Sequence, residues 1–284
     1  KPTIGTDLEG QKLWPTTAMG LSLTLRNGFG YFGNNGNLTK FRLTDGQLAA
    51  FADGRPNAQA PVNRGLAALD DATLVSANGT NKLFLIDSAT GKLKGEVETP
   101  VPLTGGLAAD AKGTVYAVSD NAVGKVDPKS GAFTPIAKDL DEPRMLACDA
   151  EGHLYVSLQG KTMQVWKLNA AGKVLQQFGK AGGRPAMNLF DPAGMLNPYA
   201  IAVDKNKRLW VCEDDRYPKR YSCWNADGTL YKDFYGSHPY STAGYFDPGD
   251  PQKFYAYNVR YIVDYEAGTW RCDGTILRTR KEEG

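Results

Sequence analysis

Short apolar segments of similar sequence recur six times along this chain, and their spacing limits the fold more than any other feature. The copies begin at Leu21, Leu66, Leu107, Leu146, Ile201 and about Tyr245. The intervals between them are 45, 41, 39, 55 and 44 residues. A repeat of about 40 residues that holds several short strands is typical of a β-propeller or a related array. Six copies account for nearly all of the 284 residues.

Turn residues divide each copy into four short strands. The copy at Leu107 shows this order most plainly, with apolar segments at 107–109, 114–118, 125–126 and 132–133 that are separated by Asp and Gly. Asp can bond its own backbone, and Gly supplies the positive φ that tight turns require. One such sheet cannot bury both of its faces, whereas six packed side by side can. The sequence therefore predicts an all-β, six-bladed β-propeller of four-stranded antiparallel blades.

This interpretation treats residues 1–19 as an N-terminal extension or a strand at the seam, and residues 20–284 as one propeller. The predicted blades cover roughly 20–60, 61–102, 103–142, 143–196, 197–240 and 241–280. The longest interval contains an insertion at 179–196. A ligand-binding loop and a plain connector are equally good interpretations of this insertion.

The fifth copy resembles an NHL repeat. The residues that carry the resemblance are Pro198–Asp204, Arg208–Val211, Lys219–Trp224 and Asp227-Gly228, preceded by Phe190-Asp191-Pro192. The resemblance implies propeller architecture over about 20–280. It implies no particular activity, because NHL-type propellers include scaffolds, ligand binders and lyases.

Charge and hydropathy limit the partners. Lys and Arg number 33 and Asp and Glu 31, and they are interspersed, so the chain lacks the basic field that nucleic-acid binding requires. No apolar run is long enough for a transmembrane helix, which predicts no membrane insertion. The sequence starts at Lys1 and shows no signal peptide, which favours a mature secreted form or a fragment. We therefore expect a secreted, periplasmic or cell-surface protein that is monomeric or part of a larger chain.

Six polar and aromatic residues are the candidate ligand-binding residues. Loops before the first strand of a blade gather with second-to-third-strand loops at one end of a propeller's central channel. The first kind of loop offers Arg64, Arg144, Asn197 and Tyr199, and the second offers Asp215 and Tyr217. Two guanidinium groups would suit a carboxylate, sulfate or phosphate group, and exposed rings could stack on sugars or peptide side chains. The alternative is that the arginines pair with Glu142 or nearby carbonyl groups.

Metal and catalytic signals are weak. The run Glu213-Asp214-Asp215 could bind a divalent cation such as calcium, but Arg216, Lys219 and Arg220 favour a solvated, salt-bridged hairpin. With only two histidines, His153 and His238, the chain lacks the set that a zinc-dependent lyase would need. The serines lack the context of a hydrolytic triad. The four cysteines show no C-x-x-C spacing, which favours reduced core residues over disulfides.

The sequence thus predicts a non-catalytic, extracytoplasmic module that binds a protein, peptide or glycan ligand, with no catalytic residues and no cofactor other than a possible divalent cation. Two alternatives stay open: a metal-dependent propeller lactonase, hydrolase or lyase, and a purely structural domain of a larger surface protein. The segments Asn37-Leu38-Thr39 and Asn78-Gly79-Thr80 also fit the N-glycosylation pattern.

Overall fold

The structure is a computed structural model that describes residues 22–34, 36–185, 188–189, 191–214, 219–235, 244–256 and 259–275. Strands fall into six successive antiparallel sheets and no helix occurs within these ranges, so the prediction of an all-β, six-bladed propeller with four-stranded blades is confirmed. None of the described residues, accordingly, forms a long apolar helix of the kind that crosses a membrane. The predicted extension at 1–19 lies outside the described residues. The chain divides into two compact units, residues 1–154 with 169–173 and residues 155–168 with 174–284.

The first unit holds three complete sheets and the first strand of a fourth. The strands of the first sheet are Ser22–Arg26 (β1), Phe29–Asn34 (β2), Asn37–Arg42 (β3) and Asn57–Gln59 (β4). The second sheet contains Gly65–Ala68 (β5), Thr73–Ala77 (β6), Lys82–Asp87 (β7) and Leu93–Glu98 (β8). The third contains Leu107–Ala109 (β9), Val115–Ser119 (β10), Ala122–Val126 (β11) and Phe133–Ala137 (β12), and Pro143–Cys148 (β13) begins the fourth. Strands that follow each other in sequence are neighbours in the sheet.

The second unit holds the rest of the fourth sheet and two more. Leu154–Leu158 (β14), Gln164–Leu168 (β15) and Val174–Phe178 (β16) complete the fourth sheet. Asn188–Leu189 (β17) precedes the fifth sheet, which contains Pro198–Val203 (β18), Leu209–Glu213 (β19), Arg220–Trp224 (β20) and Leu230–Tyr235 (β21). The last strands are Gly244–Asp247 (β22), Asp250–Ala256 (β23), Val259–Asp264 (β24) and Thr269–Thr275 (β25). The insertion thus contributes a strand, because β17 pairs with β25 at the edge of the last sheet.

In the second, third and fourth sheets, the second strand is buried on both faces. Every residue of β6, β10 and β14 is buried, which explains why these strands are mostly apolar and do not alternate with charged residues. In the first unit, Leu74 of β6 packs in one core cluster with Leu38, and Val75 packs in another with Leu107. The two faces of one sheet therefore belong to two different hydrophobic cores.

Glycines let the innermost strands of the first unit approach each other closely. The amide of Gly106 donates a hydrogen bond to the carbonyl oxygen of Arg144 at 2.7 Å. A Cβ on Gly106 would lie 2.8 Å from the Cα of Met145, and one on Gly65 would lie 2.6 Å from the amide nitrogen of Leu107. The beginnings of β5, β9 and β13 are therefore packed backbone to backbone.

The turn between the third and fourth strands carries a second set of glycines. Gly131, Gly172 and Gly228 have φ of 75°, 85° and 88°. A Cβ on Gly131 would overlap the carbonyl oxygen of Glu98, at the end of the preceding sheet's outermost strand. The sequence predicts glycine here from the turn geometry alone, and the structure adds the contact with the neighbouring sheet.

Candidate functional site

Arg64 and Arg144 occupy equivalent positions in two sheets of the first unit, each two residues before the apolar opening of the repeat. The equivalent residue in the sheet between them is Gly105, which is followed by Gly106. Both arginine residues are exposed. Two cationic side chains therefore lie on either side of Gly105 and Gly106, which precede β9 and have no side chains.

The surroundings of the two arginines differ. The amide of Arg64 donates to the carbonyl oxygen of Ala77 at 2.9 Å, and its side chain lies beside Gly79, where an added Cβ would sit 3.7 Å from Nε. Nη2 of Arg144 lies 2.7 Å from Oε2 of Glu142, and both side chains are about half exposed. The alternative prediction that an arginine pairs with Glu142 is thus confirmed for Arg144.

A buried acceptor lies next to Arg64. Oδ1 of Asn63 is buried and has no hydrogen-bond partner among the residues that the structure describes. A buried acceptor without a donor costs about 1–3 kcal/mol, so such an atom is normally satisfied by water or by a bound group. The vicinity of Arg64 therefore combines an exposed cation with an unsatisfied carbonyl oxygen.

Glu142 and Asn197 have left-handed backbone at the same position of their respective sheets. Each has φ of 48° and precedes a buried proline, Pro143 or Pro198. For a residue with a side chain this conformation costs about 1–2 kcal/mol. Such strain tends to occur where a fixed geometry matters for function.

In the second unit, Asn197 and Tyr199 make positioning contacts through their backbone. The amide of Asn197 donates to Sδ of Met163 at 3.2 Å, and its carbonyl oxygen accepts from the amide of Asp214 at 2.8 Å. The carbonyl oxygen of Tyr199 accepts from Oγ of Ser157 at 2.8 Å. Both residues are half-buried, and their contacts hold the beginning of β18 in place.

Asp215 and Tyr217 lie outside the described residues, as does His238. Of the six predicted ligand-binding residues, the structure therefore describes Arg64 and Arg144 in the first unit and Asn197 and Tyr199 in the second.

Glu213 is the centre of a buried ion network in the second unit. Its side chain is 0% exposed. Oε2 accepts from Nη2 of Arg184 at 2.7 Å and from the amide of Leu196 at 3.0 Å, and Oε1 accepts from Nη1 of Arg220 at 2.9 Å. The prediction of a solvated hairpin is therefore wrong at Glu213, because this side chain is buried and pairs with Arg184 of the insertion. The predicted pairing with Arg220 is confirmed. Both carboxylate oxygens already accept from these donors, which leaves Glu213 poorly suited to calcium.

Arg220 ties the same network to the insertion. Its Nη1 donates to the carbonyl oxygen of Gly194 at 2.6 Å and its Nη2 to that of Pro192 at 2.6 Å. Nε donates to Oδ1 of Asp233 at 3.0 Å. Because Arg184 and Gly194 belong to the insertion, these contacts hold that segment against the fifth sheet. This favours the connector interpretation for the part of the insertion that the network touches.

The electrostatics of the network are those of a structural cluster. Burial raises the pKa of Glu213, and the guanidinium groups of Arg184 and Arg220 act against that rise. Removal of one partner from a buried carboxylate between two cations strongly destabilises the protein, because a buried charge is left uncompensated. We therefore assign the network to stability and not to ligand binding.

One group of side chains in the described ranges has metal-like geometry. Ligand atoms of Asp149, Glu151 and His153 lie within 4.8 Å of one another. Oδ1 of Asp149 accepts from the amides of Glu151 and His153 at 3.1 and 2.8 Å, and Oδ2 lies 2.9 Å from Nδ1 of His153. Asp110 and Asp204 accept the same two backbone bonds in equivalent turns. The turn alone therefore accounts for the position of Asp149.

All four cysteines are free, as the sequence favours. Cys148 ends β13, and burial, together with the carboxylates of Asp110 and Asp149, raises the pKa of its thiol from 9.0 to about 12. This thiol is therefore protonated and unreactive in the folded protein at neutral pH.

The raised pKa of Cys148 predicts a loss of stability in alkali. The folded state keeps the thiol proton that the unfolded state releases above its ordinary pKa, so the free energy of unfolding falls as the pH rises from about 9 towards 12. Urea midpoints at pH 8 and pH 10.5 measure this fall, and we expect Cys148→Val to reduce it. An equal fall in the unmodified protein and in Cys148→Val would contradict the assignment of this pH dependence to Cys148.

Comparison with known proteins supports the fold alone. No protein-family model matches this sequence, and no curated protein matches it. A protein of unknown function from Bacteroides caccae is 14% identical, with a TM-score of 0.56 over 80% of this chain and 87% of that one. Hydrazine synthase from Kuenenia stuttgartiensis is 14% identical, with a TM-score of 0.52 over 94% of this chain and 99% of that one. A structural genomics protein of unknown function from Bacteroides thetaiotaomicron is 13% identical, with a TM-score of 0.55 over 90% of this chain and 69% of that one.

Proposed function

We propose that this protein is a non-catalytic binding module whose first unit holds an acidic peptide segment through Arg64 and Arg144. The observation that carries this proposal is the equivalent placement of two exposed arginines on either side of Gly105 and Gly106.

A carboxylate already bound to one of these arginines supports the choice of ligand. Oε2 of Glu142 lies 2.7 Å from Nη2 of Arg144, which is the geometry of a charge-assisted hydrogen bond. Glu142 is exposed, so a carboxylate of a ligand could replace it without entering the core. Glu142 thus acts as an internal competitor for the ligand.

Two separate guanidinium groups favour a ligand with more than one carboxylate. Arg64 directly precedes the first strand of the second sheet and Arg144 lies in the first strand of the fourth, so each can pair with a different carboxylate of one ligand. A polypeptide with several Glu or Asp side chains carries carboxylates at intervals and can reach both arginines.

Binding of a fluorescein-labelled hexaglutamate peptide, followed by anisotropy, tests this function. We expect Arg64→Ala and Arg144→Ala each to weaken binding about tenfold, because each removes one charge-assisted contact. We expect Glu142→Gln to strengthen binding about threefold, because it removes the competing carboxylate.

Arg26→Ala is the matched control, because Arg26 is also half exposed and pairs with Asp71 at 2.7 Å. Equal losses in Arg26→Ala and Arg144→Ala would show non-specific attraction and contradict the proposal. Binding of a heparin-derived oligosaccharide with the same arginine dependence, without binding of hexaglutamate, would indicate a glycan ligand instead. No binding of any probe would favour a purely structural domain.

Membership in the NHL-repeat family and an extracytoplasmic location are part of the same proposal. The NHL-like residues of the fifth copy support the first. A calcium ion and the alternative of a metal-dependent lactonase, hydrolase or lyase stay predictions, and metal analysis of the purified protein tests both.

A further inference from the structure

The segment Asn78-Gly79-Thr80 lies in the connection between β6 and β7, next to Arg64. Strands β6 and β7 pair with each other as far as Ser76 and Phe84, whereas Ala77 and Lys82 still pair with β5 and β8. Residues 78–81 are therefore the part of this connection that lies outside strand pairing. Asn78 and Gly79 are partly exposed, and Gly79 has φ of 91°. A reaction that joins the side chain of Asn78 to the backbone nitrogen of Gly79 in a ring would therefore not disrupt a sheet.

The side-chain carbonyl group of Asn78 is bound by the hydroxyl group of Thr80. Oγ1 of Thr80 donates a hydrogen bond to Oδ1 of Asn78 at 2.7 Å. This bond withdraws electron density from the side-chain amide carbon of Asn78, which makes that carbon a better electrophile. Gly79 has no Cβ to hinder its amide nitrogen, and this amide makes no hydrogen bond within the part of the chain that the structure describes.

We propose that Asn78 is a site of spontaneous deamidation that lowers the affinity of the Arg64 surface for its acidic ligand. The backbone nitrogen of Gly79 attacks Cγ of Asn78 and loses its proton. The bond between Cγ and the side-chain nitrogen breaks, and ammonia leaves with that proton. Water then opens the resulting succinimide, which gives aspartate or isoaspartate at position 78.

The consequence for ligand binding rests on the proposed function. The reaction replaces a neutral amide with a carboxylate one residue from Gly79, on which the side chain of Arg64 lies. A carboxylate here competes for the guanidinium group in the way that Glu142 does at Arg144. The two arginines would then each face an internal acidic competitor.

Asn27-Gly28 provides an internal comparison with the same dipeptide. It forms the two-residue turn between β1 and β2, where Arg26 pairs directly with Phe29. Asn27 and Gly28 both have positive φ, 49° and 79°, which is the geometry of a type I′ hairpin turn. The flanking strands hold this turn rigidly, so the approach of the Gly28 nitrogen to Cγ of Asn27 requires local opening of the hairpin.

Peptide mapping by mass spectrometry after incubation of the folded protein in mildly alkaline buffer tests the inference. We expect deamidation at Asn78 to be about tenfold faster than at Asn27 in the same sample. We expect Thr80→Val to slow the reaction at Asn78 and to leave Asn27 unchanged. Equal or slower reaction at Asn78 than at Asn27 would overturn the inference, whatever the binding experiments show.

Two substitutions separate the chemistry from its effect on binding. We expect Asn78→Asp to weaken hexaglutamate binding about threefold and Asn78→Ser, which cannot deamidate, to leave it unchanged. Equal affinities of these two variants would overturn the effect on binding. If hexaglutamate fails to bind even the unmodified protein, the proposed function fails, while the deamidation rates still stand as measured.

Discussion

Glu213→Gln is expected to lower the free energy of unfolding by about 3–5 kcal/mol, because it leaves the buried guanidinium groups of Arg184 and Arg220 without their shared carboxylate. Both arginine side chains are almost completely buried, at 1% and 0% exposed, so water cannot replace the lost partner. Urea denaturation of the two proteins at neutral pH measures the difference.

Glu142→Gln is the matched control for this effect. Glu142 pairs with Arg144 at 2.7 Å, the same distance as between Arg184 and Glu213, but both side chains are about half exposed. An exposed pair contributes about 0–1 kcal/mol, so the same substitution at Glu142 is expected to change stability little. Similar losses in the free energy of unfolding at the two positions would show that the buried network stabilises the protein no more than an exposed ion pair does.

Gly131→Ala is expected to cost about 3 kcal/mol or more, because it combines two penalties. Positive φ costs an L-residue about 1–2 kcal/mol. The new Cβ would also overlap the carbonyl oxygen of Glu98, and backbone cannot move aside as a flexible side chain can. The change in thermal or urea midpoint relative to the unmodified protein measures the sum.

Gly268→Ala isolates the first of these penalties. Gly268 occupies the corresponding turn of the last sheet with φ of 63°, and a Cβ there would meet none of the residues that the structure describes within 4 Å. We expect this variant to lose about 1–2 kcal/mol. If both alanine variants lose the same amount, the turn glycines do not serve to fit neighbouring sheets together.

Local sequence signals predicted the sheets well because they depend on short-range chemistry. The Asp and Gly residues of the turns act on their own backbone, and β7 and β24 accordingly end at Asp87 and Asp264. The length of the repeat then required six similar sheets. The contact of Gly131 with the preceding sheet was not predictable, since the turn alone already explains a glycine there.

Long-range pairing explains what the sequence could not show about the sites. Arg184 is 29 residues from Glu213 and lies in an insertion without a recognisable motif, so nothing local distinguishes it from other arginines. The neighbouring Arg220 did suggest an ion pair, but not its burial. By contrast, the equivalent positions of Arg64 and Arg144 in their sheets follow directly from the register of the repeat.

A crystal structure of the protein saturated with hexaglutamate tests the proposed function most directly. We expect peptide carboxylates on the guanidinium groups of Arg64 and Arg144, and Glu142 displaced from Arg144. A peptide bound elsewhere, with the pair between Glu142 and Arg144 intact, would contradict the proposed function.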